Sequence, residues 1–184
     1  MKKNFLLLTF VLLSCNIYSQ VVGIKSNLLY DATTSLNLGV EVALDSKLTL
    51  DISGNYNPWE FNGNKQFKHW LVQPELRYWM CETFNGSFFG IHAHYAEFNA
   101  KGIKLPFGLY PGLKDQGNLY GAGISYGYHW ILKKRWSMEA TIGVGYARVS
   151  YDRYNCRDCG SKLNSGHKNY FGPTKLGISL IYIL

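Results

Sequence analysis

Glu75 and Arg77 stand two residues apart in the stretch LVQPELRYWM, and His92 and His94 repeat that spacing further along the chain. In an extended chain residues i and i+2 share a face, so each pair presents two ionisable groups to one side. Lys25, Glu41, Asp51, Glu139 and Lys175 fall on the polar phase of other alternating segments, together with Asn27, Gln73 and His129. Interleaved charges of both signs make either a structural ionic plug or a path for protons or ions. Cys156 and Cys159 form a Cys-x-x-Cys with His167 downstream. That is half of a zinc site, and no second Cys-x-x-Cys or paired histidine completes four ligands. In an exported chain a local disulfide between Cys156 and Cys159 is the expectation. Lipid A-modifying chemistry would require a histidine with a serine and an acid. His92 and His94 have no serine two positions away, and His129 is followed by Trp130 and Ile131. Catalytic residues, cofactors and metals are therefore not expected.

The elements that position these groups are strands. Helical periodicity is scarce, whereas a period of two recurs over residues 22–31, 35–45, 47–57, 68–80, 87–99, 118–132, 136–152 and 170–184. Short connections near residues 45–46, 83–86 and 133–135 alternate with long ones at 58–67, 100–117 and 153–169. The break at 32–34 is the exception. An even strand count with alternating short and long connections is the pattern of a transmembrane barrel. The runs exceed the usual five or six residues of soluble strands and suit tilted membrane strands.

The faces give the direction. Leu36, Leu38, Val40, Val42 and Leu44 alternate with Asn37, Gly39, Glu41 and Ala43, and Tyr120, Ala122, Ile124, Tyr126, Tyr128 and Trp130 alternate with Gly121, Gly123, Ser125, Gly127 and His129. The apolar set is too bulky for the interior of eight strands, so it must face lipid and the ionisable set must face inward. A four-residue turn at 83–86 would set Glu75 opposite His94 and Arg77 opposite His92. Pro74, lacking an N–H, should share the lipid face and cause a local break or bulge in the ladder. Trp59, Trp70, Trp79, Trp130 and Trp136 all lie near strand ends, where indoles favour the bilayer interfaces. Alternation sends Trp79 inward although its position suits an interfacial anchor.

Residues 1–19 read as a signal peptide: Lys2 and Lys3, an apolar run from Phe5 to Leu13, then a short polar stretch with Ser19 before the cut. The alternative is lipidation of Cys15 within Leu12-Leu13-Ser14-Cys15. Removing Lys2 and Lys3 from the 19 Lys and Arg leaves 17 against 12 Asp and Glu, an excess of five. So small an excess, without a basic run, points away from nucleic acid. Cys81, Cys156 and Cys159 then remain, an odd count that argues against a disulfide-built scaffold. The long connections carry Lys101, Lys104, Lys114, Arg153, Arg157, Lys162 and Lys168, suited to lipopolysaccharide phosphates, and expose Leu105, Phe107, Leu109 and Tyr110. The segment 175–182, KLGISLIY, is similar to the terminal signal read by the outer-membrane barrel-assembly machinery, with Leu184 in place of the usual final aromatic.

KSNLLYDA, NYNPWEF, HWLVQPELRYW and GSFFGIHAHYAEFN together resemble a Bacteroidota family of unknown function, domain-of-unknown-function number 3575. The run Trp70-x-x-x-Pro74-Glu75-x-Arg77-Tyr78-Trp79 is the most specific part. The resemblance implies an outer-membrane barrel and suggests a part in anchoring or assembling surface fimbriae; it supplies no catalytic residues. The expectation is an all-β, eight-stranded antiparallel transmembrane β-barrel of outer-membrane type, residues 20–184, after a cleaved signal peptide. Its role is structural or surface-interacting, in contact with outer-membrane lipid and lipopolysaccharide, with fimbrial components as alternative partners and lipid A modification as a second alternative.

Overall fold

Alternation of apolar and polar residues dictates extended chain through most of the sequence, and the computed structural model, which describes residues 21–61, 65–101, 114–154 and 162–184, is all-β. Eight strands follow in order: β1 Val22–Asn27, β2 Leu36–Asp45, β3 Leu48–Asn57, β4 Lys65–Trp79, β5 Gly86–Lys101, β6 Lys114–Ile131, β7 Trp136–Tyr154 and β8 Lys162–Ile183. Each pairs antiparallel with the next, and β8 pairs with β1, so the sheet closes into a ring. The two-residue strand Glu60–Phe61 folds back on Lys65 and Gln66 and stands outside that ring.

The two faces of the ring are the reverse of a water-soluble core. Ile91 and Ile124 point outward with 67% and 64% of their surface exposed, whereas Glu41, Asp51, Glu75 and Arg77 point inward and expose 1% or less. Among the described residues no helix is long and apolar enough to cross a membrane. Val21, Leu184 and the short turns gather at one end of the ring. At the other end β4 to β8 run on past the tops of β1 to β3.

The first strand is shorter than its alternation suggests: β1 stops at Asn27 and a one-turn helix, α1 Leu28–Ala32, follows. The cause is the Asn27 side chain. Its Oδ1 caps α1 by accepting from Leu29 N–H at 3.1 Å and accepts from Ile178 N–H at 3.2 Å, while its Nδ2 donates to Leu176 O at 3.2 Å. One amide thus supplies the next rungs of the β1–β8 ladder and turns the backbone away. Ser26, Asp31 and Asn37 tie the same corner: Ser26 Oγ donates to Asp31 Oδ2 at 2.8 Å, Asn37 Nδ2 to Asp31 Oδ1 at 2.7 Å, and Asn27 N–H to Asn37 Oδ1 at 2.6 Å.

The long connections are also shorter than expected, because β4, β6 and β8 begin at Lys65, Lys114 and Lys162 and β5 and β7 end at Lys101 and Tyr154. Polar residues occupy both faces of these outer ends, Asn164, Ser165 and His167 among them, so no apolar phase marks them as strand. Lys101, Lys114, Arg153, Lys162 and Lys168 consequently stand on strands, while Lys104, Arg157 and the Leu105, Phe107, Leu109 and Tyr110 patch lie outside the described residues. So do residues 1–19, Cys15, Cys156 and Cys159.

Pro74 behaves as expected. It faces outward opposite Ile52 of β3, and the β4–β5 ladder is interrupted at Gln73 and Pro74 without a change of register. A bulge lies elsewhere, in β8, where Lys175 pairs with Gly143 but Pro173 pairs with Val144. Thr174 is the extra residue, and both it and Lys175 turn inward, as a bulge permits.

Candidate functional site

Every strand contributes side chains to the interior. Arg77, on β4, is its hub. Its five N–H donors all meet carboxylates: Nε donates to Glu75 at 2.7 Å, Nη1 to Glu41 and to Glu139 at 2.8 Å each, and Nη2 to Asp51 and to the second Glu139 oxygen at 3.1 Å each. Phe88 of β5 lies under the guanidinium, 4.4 Å from Cζ to ring centroid, a cation–π contact.

Two lysines complete the cluster. Lys25 Nζ, from β1, lies 2.5 Å from Glu41, 3.3 Å from Asp51 and 3.7 Å from Glu139. Lys175 Nζ, presented by the β8 bulge, lies 2.6 Å from Glu75 and 3.5 Å from Asp51. Three hydroxyls donate to oxygens the cations leave open or share: Thr49 to Glu41 at 2.5 Å, Thr141 to Glu139 at 2.8 Å, and Ser125 to Glu75. Four carboxylates therefore meet three cations. Desolvating so many charges costs several kcal/mol per ion, and close pairing with hydrogen bonds to the remaining lone pairs is what offsets it.

The network is closed at the short-turn end and leaves little space within. Trp79, Phe84, Phe88 and His129 pack as an aromatic floor at the short-turn end, Trp79 lying 4.8 Å from Phe88, 5.9 Å from Phe84 and 5.6 Å from His129 between ring centroids. The Trp79 indole N–H donates to Thr49 Oγ1 at 3.0 Å. A cavity of about 30 Å³ remains among Lys25, Asp51, Gln73, Arg77, Glu139 and Lys175, room for roughly one water.

The histidines lie on the other side of the network. His92 Nε2 meets Thr174 Oγ1 at 2.9 Å, and His94 stacks at 5.7 Å from His92. Their space is made by glycines: a Cβ on Gly123 would come within 2.8 Å of His92 Nε2 and one on Gly121 within 2.7 Å of His94 Nε2. Among the described residues no group of three His, Cys, Asp or Glu is arranged to hold a metal.

Lys25, Glu41, Asp51, Glu75, Arg77, His92, His94, His129, Glu139 and Lys175, ten charged or imidazole residues of the polar phase, all point into the ring. Seven form one ion-pair network, His92 and His94 stand beside it, and His129 lies in the floor. The expected pairing needs correction. Glu75 pairs with His92, and Arg77 pairs with Gly90. The turn is longer than four residues because Phe84, at φ 61°, folds back into the aromatic floor, and Gly86 at φ 78° brings the chain out again. Trp79 is also corrected, being fully buried in that floor and no interfacial anchor. Trp59, Trp70, Trp130 and Trp136 do face outward. Cys81 is free and exposed.

Residues whose roles the sequence did not assign are Thr49, Thr141 and Ser125, which donate to carboxylates, and Thr174, which meets His92. The first two sit two positions from Asp51 and Glu139, so strand parity already placed them inside. Thr174 was hidden by the bulge. The family run is explained residue by residue. Trp70 faces outward, its Nε1 donating to Glu97 at 3.1 Å; Pro74 interrupts the ladder; Glu75 and Arg77 enter the network; Tyr78 faces outward and Trp79 inward.

No curated protein and no solved structure matches the chain. A family model described as "Protein of unknown function (DUF3575)" matches residues 5–184, essentially the whole sequence, and the chain belongs to that family.

Proposed function

We propose that the protein is an eight-stranded outer-membrane β-barrel, exported by residues 1–19, with a structural or surface-interaction role and no enzymatic one. The observation that carries this reading is the inversion of faces: a closed ring whose outside is apolar and whose inside is an ion-pair network. In water such a ring would expose its apolar side chains and bury its charges, losing on both counts. In a bilayer the outside is solvated by lipid, and ring closure leaves no unpaired edge across the hydrocarbon. Outward aromatics support the same reading. Trp130, Trp136 and Tyr128 stand near the short-turn end, and Trp70, Tyr95 and Tyr120 near the other, as at two lipid interfaces.

The interior favours a scaffold over a pore or an enzyme. The aromatic floor at the short-turn end and a space for about one water beside the network argue against an aqueous path. The His92–Thr174 pair is the nearest approach to a nucleophile and base, yet His92 is 1% exposed within the ring.

The test is membrane fractionation combined with gel mobility before and after boiling. The protein should stay in the outer-membrane fraction after carbonate washing and shift mobility on heating. Release by carbonate, with no heat-dependent shift, would overturn the proposal.

A further inference from the structure

On the outer wall above the apolar band, two rows of outward side chains cross the strands. The lower row runs Trp70, Glu97, Asn118, Ser150 and His167, each directly paired with the next across β4 to β8. The upper row runs Lys68, Asn99, Gln116, Asp152 and Ser165 in the same manner. Between them every strand contributes one inward residue, so the rows lie about 7 Å apart, with neighbours along a row about 4.8 Å apart. The space between the rows forms a shallow trough. One stretch, over β3 to β6, encloses about 550 Å³, and a second, over β6 to β8, about 310 Å³. They meet at Gln116, Gly117 and Asn118.

We propose that this trough binds a saccharide, one or more pyranose rings lying across the strands. Three features argue for sugar. The lining is rich in amides, and each amide offers a donor and an acceptor in one plane, the complement of vicinal hydroxyls. Tyr56 and Trp70 add aromatic faces for the ring C–H surfaces. A phosphate site would call for converging arginines or lysines, and Lys68 is the one lysine or arginine among the described residues that line the two stretches.

The first stretch is also held ready. Glu97 accepts from Trp70 Nε1 at 3.1 Å and from Tyr95 Oη at 3.0 Å, so indole and carboxylate are fixed before any ligand arrives. Preorganisation of this kind removes part of the ordering cost of binding. Asn99 Oδ1 is buried without a hydrogen-bond partner, so its amide carries an unmet acceptor at the edge of the trough. The trough needs no membrane to exist. Only the source of the sugar rests on the outer-membrane reading, which sets the trough level with the glycan layer just beyond the lipid-facing band.

The experiment is saturation-transfer NMR on the folded protein in a zwitterionic, non-glycoside detergent. The probes are deacylated lipopolysaccharide core oligosaccharide and three free disaccharides, chitobiose, mannobiose and maltose. Ring protons of at least one probe should receive saturation from the wild type. Binding should weaken at least tenfold in Asn99→Ala/Asn118→Ala, and also in Glu97→Gln, with gel mobility reporting that each variant is folded. Preference for the core oligosaccharide assigns a membrane-borne glycan, and preference for a disaccharide assigns a free one. No transfer to any probe, or equal binding by wild type and both variants, overturns the proposal. A protein that binds sugar yet leaves the membrane on carbonate washing would sink the outer-membrane reading and leave the trough standing.

Discussion

Arg77 and Glu139 reach across the ring from β4 and β7 and meet in a two-pronged pair, Nη1 to one carboxylate oxygen at 2.8 Å and Nη2 to the other at 3.1 Å. Through this pair and the three further carboxylates on Arg77, opposite walls are held at a fixed separation. Arg77→Ala would leave four buried carboxylates facing two lysines. Removing one partner of a buried ion pair costs about 3–5 kcal/mol, and here one residue partners four. Arg77→Lys should rescue little, because an ammonium has three donors and no planar fork. Urea unfolding followed by tryptophan fluorescence is the check. A midpoint for Arg77→Lys close to wild type would show that charge alone, not the five-donor geometry, organises the interior.

Trp79 should behave unlike the other four tryptophans. It is fully buried in the aromatic floor, whereas Trp59, Trp70, Trp130 and Trp136 expose between 37% and 48% of their surface. In vesicles of brominated lipid, a variant retaining only Trp130 or only Trp136 should be strongly quenched, and one retaining only Trp79 should be nearly unaffected. Trp79→Ala should destabilise the fold by about 3–5 kcal/mol, since it opens the floor and removes the donor to Thr49. Quenching of Trp79 equal to that of Trp130 would contradict the placement.

Much of this arrangement was legible in the sequence because a period of two assigns faces regardless of where strands end. The parity joining Glu75 to Arg77, and His92 to His94, survived a register two residues away from the expected one, because a shift of two leaves every side chain on its face. What alternation could not carry was turn geometry. Phe84 reads as a turn residue, yet the space beside Trp79 draws it inside, and that contact lengthens the turn. Phe88 and Phe98 share parity with His92 and could have been placed inside on that ground. The end of β1 at Asn27 depends on one side chain reaching Leu176 and Ile178, partners distant in sequence.

The side chain of Thr174 should matter more than the bulge that carries it. Thr174→Val removes the 2.9 Å bond to His92 while nearly keeping shape, for a loss of about 1 kcal/mol. Deleting Thr174 removes the same bond, yet leaves Lys175 opposite Gly143 and Pro173 opposite Val144 with no residue between them. Alternation then runs unbroken, and Lys175 and Phe171 keep their faces. The deletion should therefore lower the unfolding midpoint about as much as Thr174→Val. A midpoint far below that of Thr174→Val would mean that the bulge itself carries structural weight.

Glycine substitutions separate close backbone approach from mere smallness. Gly123 and Gly145 face each other across β6 and β7. A Cβ on Gly123 would lie 2.5 Å from Val144 O, 2.8 Å from His92 Nε2 and 2.9 Å from Gly145 Cα. Two of those neighbours are backbone and cannot swing aside, so Gly123→Ala must part the two strands. Overpacking of this kind costs about 1–3 kcal/mol, and the displaced His92 would also lose Thr174. Gly54→Ala is the matched control on β3, where the nearest atom, Leu71 O, is 3.9 Å away. Thermal unfolding followed by gel mobility should show Gly54→Ala within about 0.5 kcal/mol of wild type and Gly123→Ala clearly lower. A Gly123→Ala protein as stable as Gly54→Ala would mean that β6 and β7 are not pressed together at this corner, and that the two histidines do not need the glycine floor to sit where they do.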